Sequence, residues 1–191
     1  MASVTRVLEG GLSAQEALDA LIRRAQNGQE SAFEEILCLF ESKAILIARG
    51  MGASRADAED IAQEAFLKIF RYIGSYRSDR TFKAYFYRVV INASRDHLQH
   101  MKPSGQISLD DIAERPSEPE QRASYEDVEM LRRALRDLPS REREVVILRD
   151  LQGLSTWDVS RILRISPITV RRHSSRALAH LRKILGPDAG R

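Results

Sequence analysis

Between Lys102 and about Asp127 the chain loses helical periodicity, and that break limits everything else it can fold into. Pro103, Gly105, Pro116 and Pro119 fall within it, and from Ser108 to Glu129 eight acids stand against two bases, a local charge of −6. Proline fixes φ and removes a backbone donor, and like charges at this density repel, so the stretch reads as a linker rather than as core. On either side apolar residues recur every three or four positions, and nothing alternates with the period of two that a sheet needs. The expected fold class is all-α: two small helical domains over 13–101 and 124–186, joined by an acidic linker over 102–123. Residues 1–12 are expected to be a disordered N-terminus and 187–191 a tail. The linker's charge also suits a solvated spacer that keeps the domains from collapsing together.

In the first half, Ser13 is placed to cap "AQEALDALIRRAQNG", with Leu18, Leu21 and Ile22 on its apolar side. "SAFEEILCLFESKAILIARGMG" should close at Gly50 and Gly52, "SRADAEDIAQEAFLKIFRYIG" at Gly74, and "TFKAYFYRVVINASRDHLQHM" before Pro103. Cys38 is the only cysteine, so no internal disulfide forms, and its apolar neighbours suggest a small core residue in a reducing compartment. No apolar run approaches the roughly 20 residues of a membrane span, and the N-terminus lacks the basic-then-apolar order of a signal peptide. A cytoplasmic location without membrane insertion is expected.

The second half concentrates positive charge. From Val159 to Pro187 there are seven Lys or Arg, two His and no acid, although the whole chain carries 30 basic and 27 acidic side chains. "STWD" from Ser155 is a capping box, "RIS" a three-residue turn, and Ser166 with Pro167 a second helix start. Two helices joined this tightly make a helix-turn-helix, which lays the second helix's first turns in a DNA major groove. Val159, Ile162 and Leu163 should face inward from the first helix, and Ile168, Val170, Ala177, Leu178 and Leu181 from the second. Ser166, Thr169, Arg171, Arg172, His173 and Arg176 are then the DNA-facing candidates, arginine being able to read guanine with two parallel hydrogen bonds. Arg182 and Lys183, further along, suit phosphate or the helix dipole.

"DAEDIAQEAFLKIF" has a different logic. Ala58, Ala62, Ala65, Phe66, Ile69 and Ile73 fall on one helical stripe, and Asp57, Asp60, Glu64, Lys68 and Arg71 on the other side around a solitary Leu67. An apolar residue within an organised charged ridge suits a partner helix. Three carboxylates on one face are also what a magnesium ion takes, but no second converging set exists and no nucleophile–base pair is evident. His173 and His180 are two turns apart, too far to share an ion alone. Catalytic residues, metal ligands and cofactors are therefore all expected to be none. Further on, Tyr76, Phe82, Tyr85 and Tyr87 interleave with Arg77, Arg80, Lys83 and Arg88. Flat faces among cations bind unstacked bases, at about 1–3 kcal/mol per base. Phe82, Phe86, Val89 and Val90 also fit a core stripe, leaving Tyr85, Tyr87 and Arg88 as the better DNA candidates, with Asn92 and Arg95 beside them.

Leu138–Leu185, "LPSREREVVILRDLQGLSTWDVSRILRISPITVRRHSSRALAHLRKIL", resembles the fourth domain of bacterial sigma-70-family factors, in particular the small extracytoplasmic-function (ECF) group. It departs from the group's pattern at Ser160, usually Ala, at Arg164, usually Gly, and at His173, usually Arg. "DAEDIAQEAFLKIF" is similar to the family's second-domain helix that grips the β′ clamp helices of RNA polymerase. "SYRSDRTFKAYFYRVVINASRDHLQ" looks like its promoter-melting and minus-ten segment, with Tyr85 in place of Trp and Ile91 in place of Arg.

The resemblance implies a sigma factor without catalytic activity that binds core RNA polymerase, through the β′ clamp helices and the β flap, and opens promoter DNA. Its polymerase-binding residues would be Asp57, Asp60, Ile61, Glu64, Leu67, Lys68 and Arg71. Its minus-ten contacts would be Tyr76, Arg77, Lys83, Tyr85, Tyr87, Arg88, Asn92 and Arg95, and Ser166 to Arg176 would read the minus-thirty-five element. Family members are often held inactive by an anti-sigma protein, a partner that no residue here requires. The alternative is a dimeric helix-turn-helix regulator that binds operator DNA without polymerase.

Overall fold

The computed structural model describes residues 14–77, 81–100 and 119–185, with side chains in the last segment from 127 onward. The expectations for residues 1–12, for Ser13, for the linker up to residue 118 and for the tail 187–191 lie outside the described residues. All regular structure described is helical, as expected: α1 Ala14–Gln26, α2 Glu30–Met51, α3 Arg55–Tyr72, α4 Phe82–His100, α5 Pro119–Arg136, α6 Ser140–Val146, α7 Thr156–Leu163 and α8 Pro167–Leu185. α5 starts inside the expected linker, at a proline whose missing N–H costs nothing in the first turn.

Local chemistry sets the helix ends. The hydroxyls of Ser54, Ser155 and Ser166 accept the N–H groups of Asp57, Asp158 and Thr169, each at 3.1 Å, and so start α3, α7 and α8. α2 runs through Gly50 and ends at Gly52, whose φ of 110° lets its N–H turn back to the Ala48 and Arg49 carbonyls. Gly50 is instead a packing glycine. A Cβ there would stand 3.1 Å from Ile147 Cδ1.

α1 to α4 pack around an aromatic centre in which Phe40 meets Phe86 at 4.7 Å and Phe82 at 5.6 Å between ring centroids. The α3 stripe from Ala58 to Ile73 is buried as expected. Cys38 is exposed, contrary to expectation: Ile36, Phe40, Ala44 and Ile47 make the buried stripe of α2 and turn it outward. In the second half α6 continues as a wider π-helical turn, Ile147–Leu151, closed by the Gln152 N–H on the Ile147 carbonyl at 3.0 Å. α7 and α8 form the helix-turn-helix. Ile168 and Leu178 do not pack inward, being 72% and 38% exposed, because Val170, Ser174, Ala177 and Leu181 form the stripe that does.

The two helical clusters do not stand apart, which corrects the spacer expectation. Ile147, Leu148, Val159, Ile162, Leu163 and Val170 join the same apolar core as Phe82 and Phe86, while Ala134, Leu135, Leu138, Val146, Ala177 and Leu181 form a second core in the C-terminal half. Burial of apolar area, at about 25 cal/mol per Å², contributes to holding the halves together.

Arg164, in the turn between α7 and α8, has φ 55° and ψ 45°, the one positive φ of a non-glycine residue among those described. A side chain in this left-handed region crowds its own carbonyl, a cost glycine does not bear. Arg164→Gly is expected to raise stability by up to about 1 kcal/mol, after allowing for the freer unfolded chain. Thermal unfolding checks it, and a fall in the midpoint would contradict it.

Candidate polymerase and nucleic-acid interfaces

The charged ridge expected on α3 divides into three environments. Asp57 is half-buried and already engaged, bonded by the Ser54 hydroxyl at 2.6 Å and paired with His97 Nε2 at 3.2 Å. Ile61 is fully buried in the core, which removes it as a surface contact and makes it a support for the helix. Asp60 and Glu64 are exposed, Glu64 holding Lys68 at 2.7 Å one turn on. Leu67 is 65% exposed. Lys68 and Arg71 line a different surface, the cleft described below.

Leu67 is not solitary. Together with Phe33, Leu37, Ile45, Phe66 and Phe70 it lines a groove of about 440 Å³ between α2 and α3, with Glu41 and Glu59 beside it. Phe70 is 53% exposed and meets the Phe33 ring edge-on at 4.8 Å. Sequence reasoning missed Phe33, Leu37 and Phe70. Phe70 lies one turn from Leu67 and could have been found, whereas the α2 residues belong to the groove only once two helices are packed.

The Ser54 hydroxyl, with His97 adding to it and burial opposing both, holds the Asp57 carboxyl below its usual pKa. A depressed carboxylate stabilises the fold above its ordinary value of about 3.9, and that contribution is lost as pH falls through the lower folded value. Asp57→Asn is therefore expected to lower the unfolding midpoint at neutral pH, with the gap to wild type closing below about pH 4. An equal gap at both pH values would mean the charge is irrelevant.

The expected minus-ten residues also separate. Tyr76, Arg77, Tyr85, Arg88 and Asn92 line a cleft of about 1310 Å³ together with Lys68, Arg71, Arg161 and Arg164. Six cations and two acids, Asp96 and Asp158, give it a net positive wall. Tyr76 and Tyr85 lie 5.4 Å apart, ring to ring, and the Tyr76 backbone is held by Gln26 Nε2, which donates to its carbonyl at 2.7 Å. Burial pushes the Tyr85 hydroxyl's pKa up, with Tyr72 adding to it. Lys83 is exposed outside this cleft.

Tyr87 and Arg95 are turned elsewhere. Tyr87, read as off the core stripe, is only 4% exposed and its hydroxyl donates to Gln152 Oε1 at 3.3 Å. Arg95 donates through Nε and Nη2 to Glu144 Oε1 at 3.2 and 2.8 Å. Both partners belong to the C-terminal half, which is why the helix projection of α4 alone misplaced Tyr87.

On α8, Arg171, Arg172 and Arg176 are exposed and Thr169 and His173 half-exposed. Ser166 spends its hydroxyl on capping the helix. Among the described residues no group of three or more His, Cys, Asp or Glu gathers as metal ligands, and no helix is long and apolar enough to cross a membrane.

Two family models match this arrangement: Sigma-70 region 2 over residues 41–102 and Sigma-70 region 4 over residues 128–181. The RNA polymerase sigma-H factor of Pseudomonas aeruginosa is 30% identical over 186 residues, 91% of this chain and 96% of that protein. The ECF RNA polymerase sigma factor SigM of Mycobacterium tuberculosis is 32% identical over 162 residues, 83% of this chain and 80% of that one. Among solved structures, CnrH in complex with the cytosolic domain of CnrY has a TM-score of 0.71 at 22% identity, over 88% of this chain and 97% of that one. The sigma factor RpoE, solved with the anti-sigma factor NepR from Bartonella quintana, has a TM-score of 0.66 at 24% identity, over 82% and 98%. A dimeric operator-binding regulator would account for the second matched segment and leave the first unexplained. With both segments matched in order and relatives aligned along nearly the whole length, this chain belongs to the sigma-70 family, in its extracytoplasmic-function group, and is a non-enzymatic factor that directs RNA polymerase to promoters.

Proposed function

We propose that the work of this sigma factor is divided among three surfaces. The groove between α2 and α3, lined by Leu67 with Glu41 and Glu59, takes the β′ clamp helices of core polymerase, and the exposed Asp60 and Glu64 of α3 contact the same partner. The observation that carries this is Leu67 at 65% and Phe70 at 53% exposure, two large apolar side chains over a groove with acids beside it. Amphipathic helices are received by grooves of this kind through apolar anchors, with charges around them fixing the register. The residues from Tyr76 to Arg95 take the unpaired minus-ten strand, bases against Tyr76 and Tyr85 and phosphates along Arg77, Lys83 and Arg88. Arg171, Arg172 and Arg176 read the minus-thirty-five element, and the C-terminal half meets the β flap.

In this reading the domains are 13–101 and 124–186, with 102–123 threading the polymerase between them. An anti-sigma protein, such as the one solved with the similar RpoE, would compete for the same apolar groove. Each DNA grip alone is weak, and polymerase makes the second contact intramolecular once the first is made. The test is transcription of genomic fragments by purified core polymerase with and without the full chain. Transcripts starting at common sites only when the chain is present support the reading. Protection of a palindromic duplex by the chain alone, with no effect on transcription, would sink it.

A further inference from the structure

One large apolar side chain of α8 lies outside both apolar cores. Val170, Ser174, Ala177 and Leu181 are the stripe of this helix that packs inward. Ile168, Arg172 and Ser175 follow one another on the opposite face at intervals of four and three residues, all exposed, with Arg171 and Arg176 exposed beside them. At 72% exposure Ile168 is the most exposed of the large apolar residues described. Isolated apolar residues are common on surfaces, but this one stands among the cations that would face a duplex.

The first turn of α8 has little else to offer a base. Pro167 carries no N–H. The Ser166 hydroxyl accepts the Thr169 N–H at 3.1 Å and lies 2.8 Å from Thr169 Oγ1, so the two hydroxyls of the turn are engaged with each other. The side chain left to project is the branched hydrocarbon of Ile168, which neither donates nor accepts a hydrogen bond. In a helix-turn-helix the early residues of the second helix meet base edges in the major groove. On those edges the one apolar substituent is the C5-methyl of thymine. A β-branched chain also has one strongly preferred χ1 on a helix, so Ile168 has little rotamer freedom left to lose on contact.

We propose that Ile168 is a specificity-determining residue, packing on the C5-methyl of a thymine in the minus-thirty-five element while Arg171, Arg172 and Arg176 supply charge and hydrogen bonds to neighbouring bases and phosphates. This rests on the reading of α8 as the minus-thirty-five helix, and adds to it a base that the arginines do not select. Cytosine at the same position has no methyl and turns an amino donor toward the groove, where the isoleucine leaves it unpaired. Phosphate contacts weaken steeply with salt, whereas the preference for thymine is apolar and keeps its size as salt rises.

Deoxyuridine differs from thymidine by that methyl alone. Promoters found by the transcription test above are made with single upstream thymines exchanged for deoxyuridine, and bound by core polymerase carrying the full chain. Wild type is expected to show one upstream exchange that weakens binding about fourfold, the value of one buried methyl. With Ile168→Ala the same exchange should change nothing, and with Ile168→Val it should keep most of its effect. Both variants should unfold at the wild-type midpoint, and a lowered one for alanine would make Ile168 a packing residue and overturn the proposal. A penalty undiminished in the alanine variant would overturn it too, giving the methyl to another residue. No penalty at any upstream thymine, with Arg172→Ala still weakening binding, would sink the thymine contact and leave the minus-thirty-five reading in place. If neither the exchanges nor Arg172→Ala alter binding, α8 does not read this DNA and both readings fall.

Discussion

A chain carrying Asp60→Ala and Leu67→Glu loses about 100-fold in affinity for core RNA polymerase while keeping its unfolding midpoint. A 100-fold loss corresponds to about 2.7 kcal/mol. Leu67 is 65% exposed, so exchanging it for another good helix former leaves the fold of α3 almost untouched. In the proposed complex the same position would become buried, and a carboxylate delivered there without a partner would cost a few kcal/mol in addition to the lost apolar contact. Asp60, exposed on the same helix, contributes a smaller amount because charges near a solvated rim are screened. Binding of the labelled chain to purified core, read by fluorescence anisotropy, measures the loss. Unchanged affinity with a native midpoint would remove α3 from the polymerase interface.

Features fixed by local chemistry were legible in the sequence. The caps at Ser155 and Ser166 need only a hydroxyl three residues before an N–H, and the α3 stripe from Ala58 to Ile73 needs only the helical period. The left-handed turn at Arg164 follows from the tight α7–α8 connection. Other features depend on residues far apart in the chain. Tyr87 projects off the stripe of its own helix, and becomes buried because Gln152, 65 residues later, belongs to a surface laid over it. Asp57 looked like part of a free ridge until His97 of α4 was placed against it. Nothing within "SREREVV" marks Glu142 and Glu144 for burial, yet both are buried, Glu142 bonded by His180 Nδ1 at 2.8 Å and Glu144 by two arginines. No periodicity in one segment announces a partner supplied by another.

Arg143→Met is expected to cost about 3–5 kcal/mol of unfolding free energy. The Arg143 guanidinium donates to four backbone carbonyls: Leu135 at 2.7 Å through Nε, Met51 at 2.6 Å through Nη1, Leu138 at 3.0 Å through Nη2, and Arg136 through Nη2 as well. Three of these belong to the end of α5 and the turn after it, and Met51 is the last residue of α2. Carbonyls in the last turn of a helix have no partner within the helix, and one planar cation satisfies both ends at once. Burial lowers the guanidinium's pKa, with Asp137 and Glu144 acting in the opposite direction. Methionine keeps most of the stem's volume and removes every donor, so the loss reports the hydrogen bonds rather than a cavity. Urea unfolding of the two chains measures it, and Arg143→Lys should recover only part, since one ammonium cannot span carbonyls on both helices. Because Met51 is the only one of the four acceptors in the N-terminal half, the methionine variant should also lose cooperativity, the halves parting before either unfolds. A cost below about 1 kcal/mol would mean that water replaces the guanidinium at all four carbonyls, and that the remaining contacts join the halves without it.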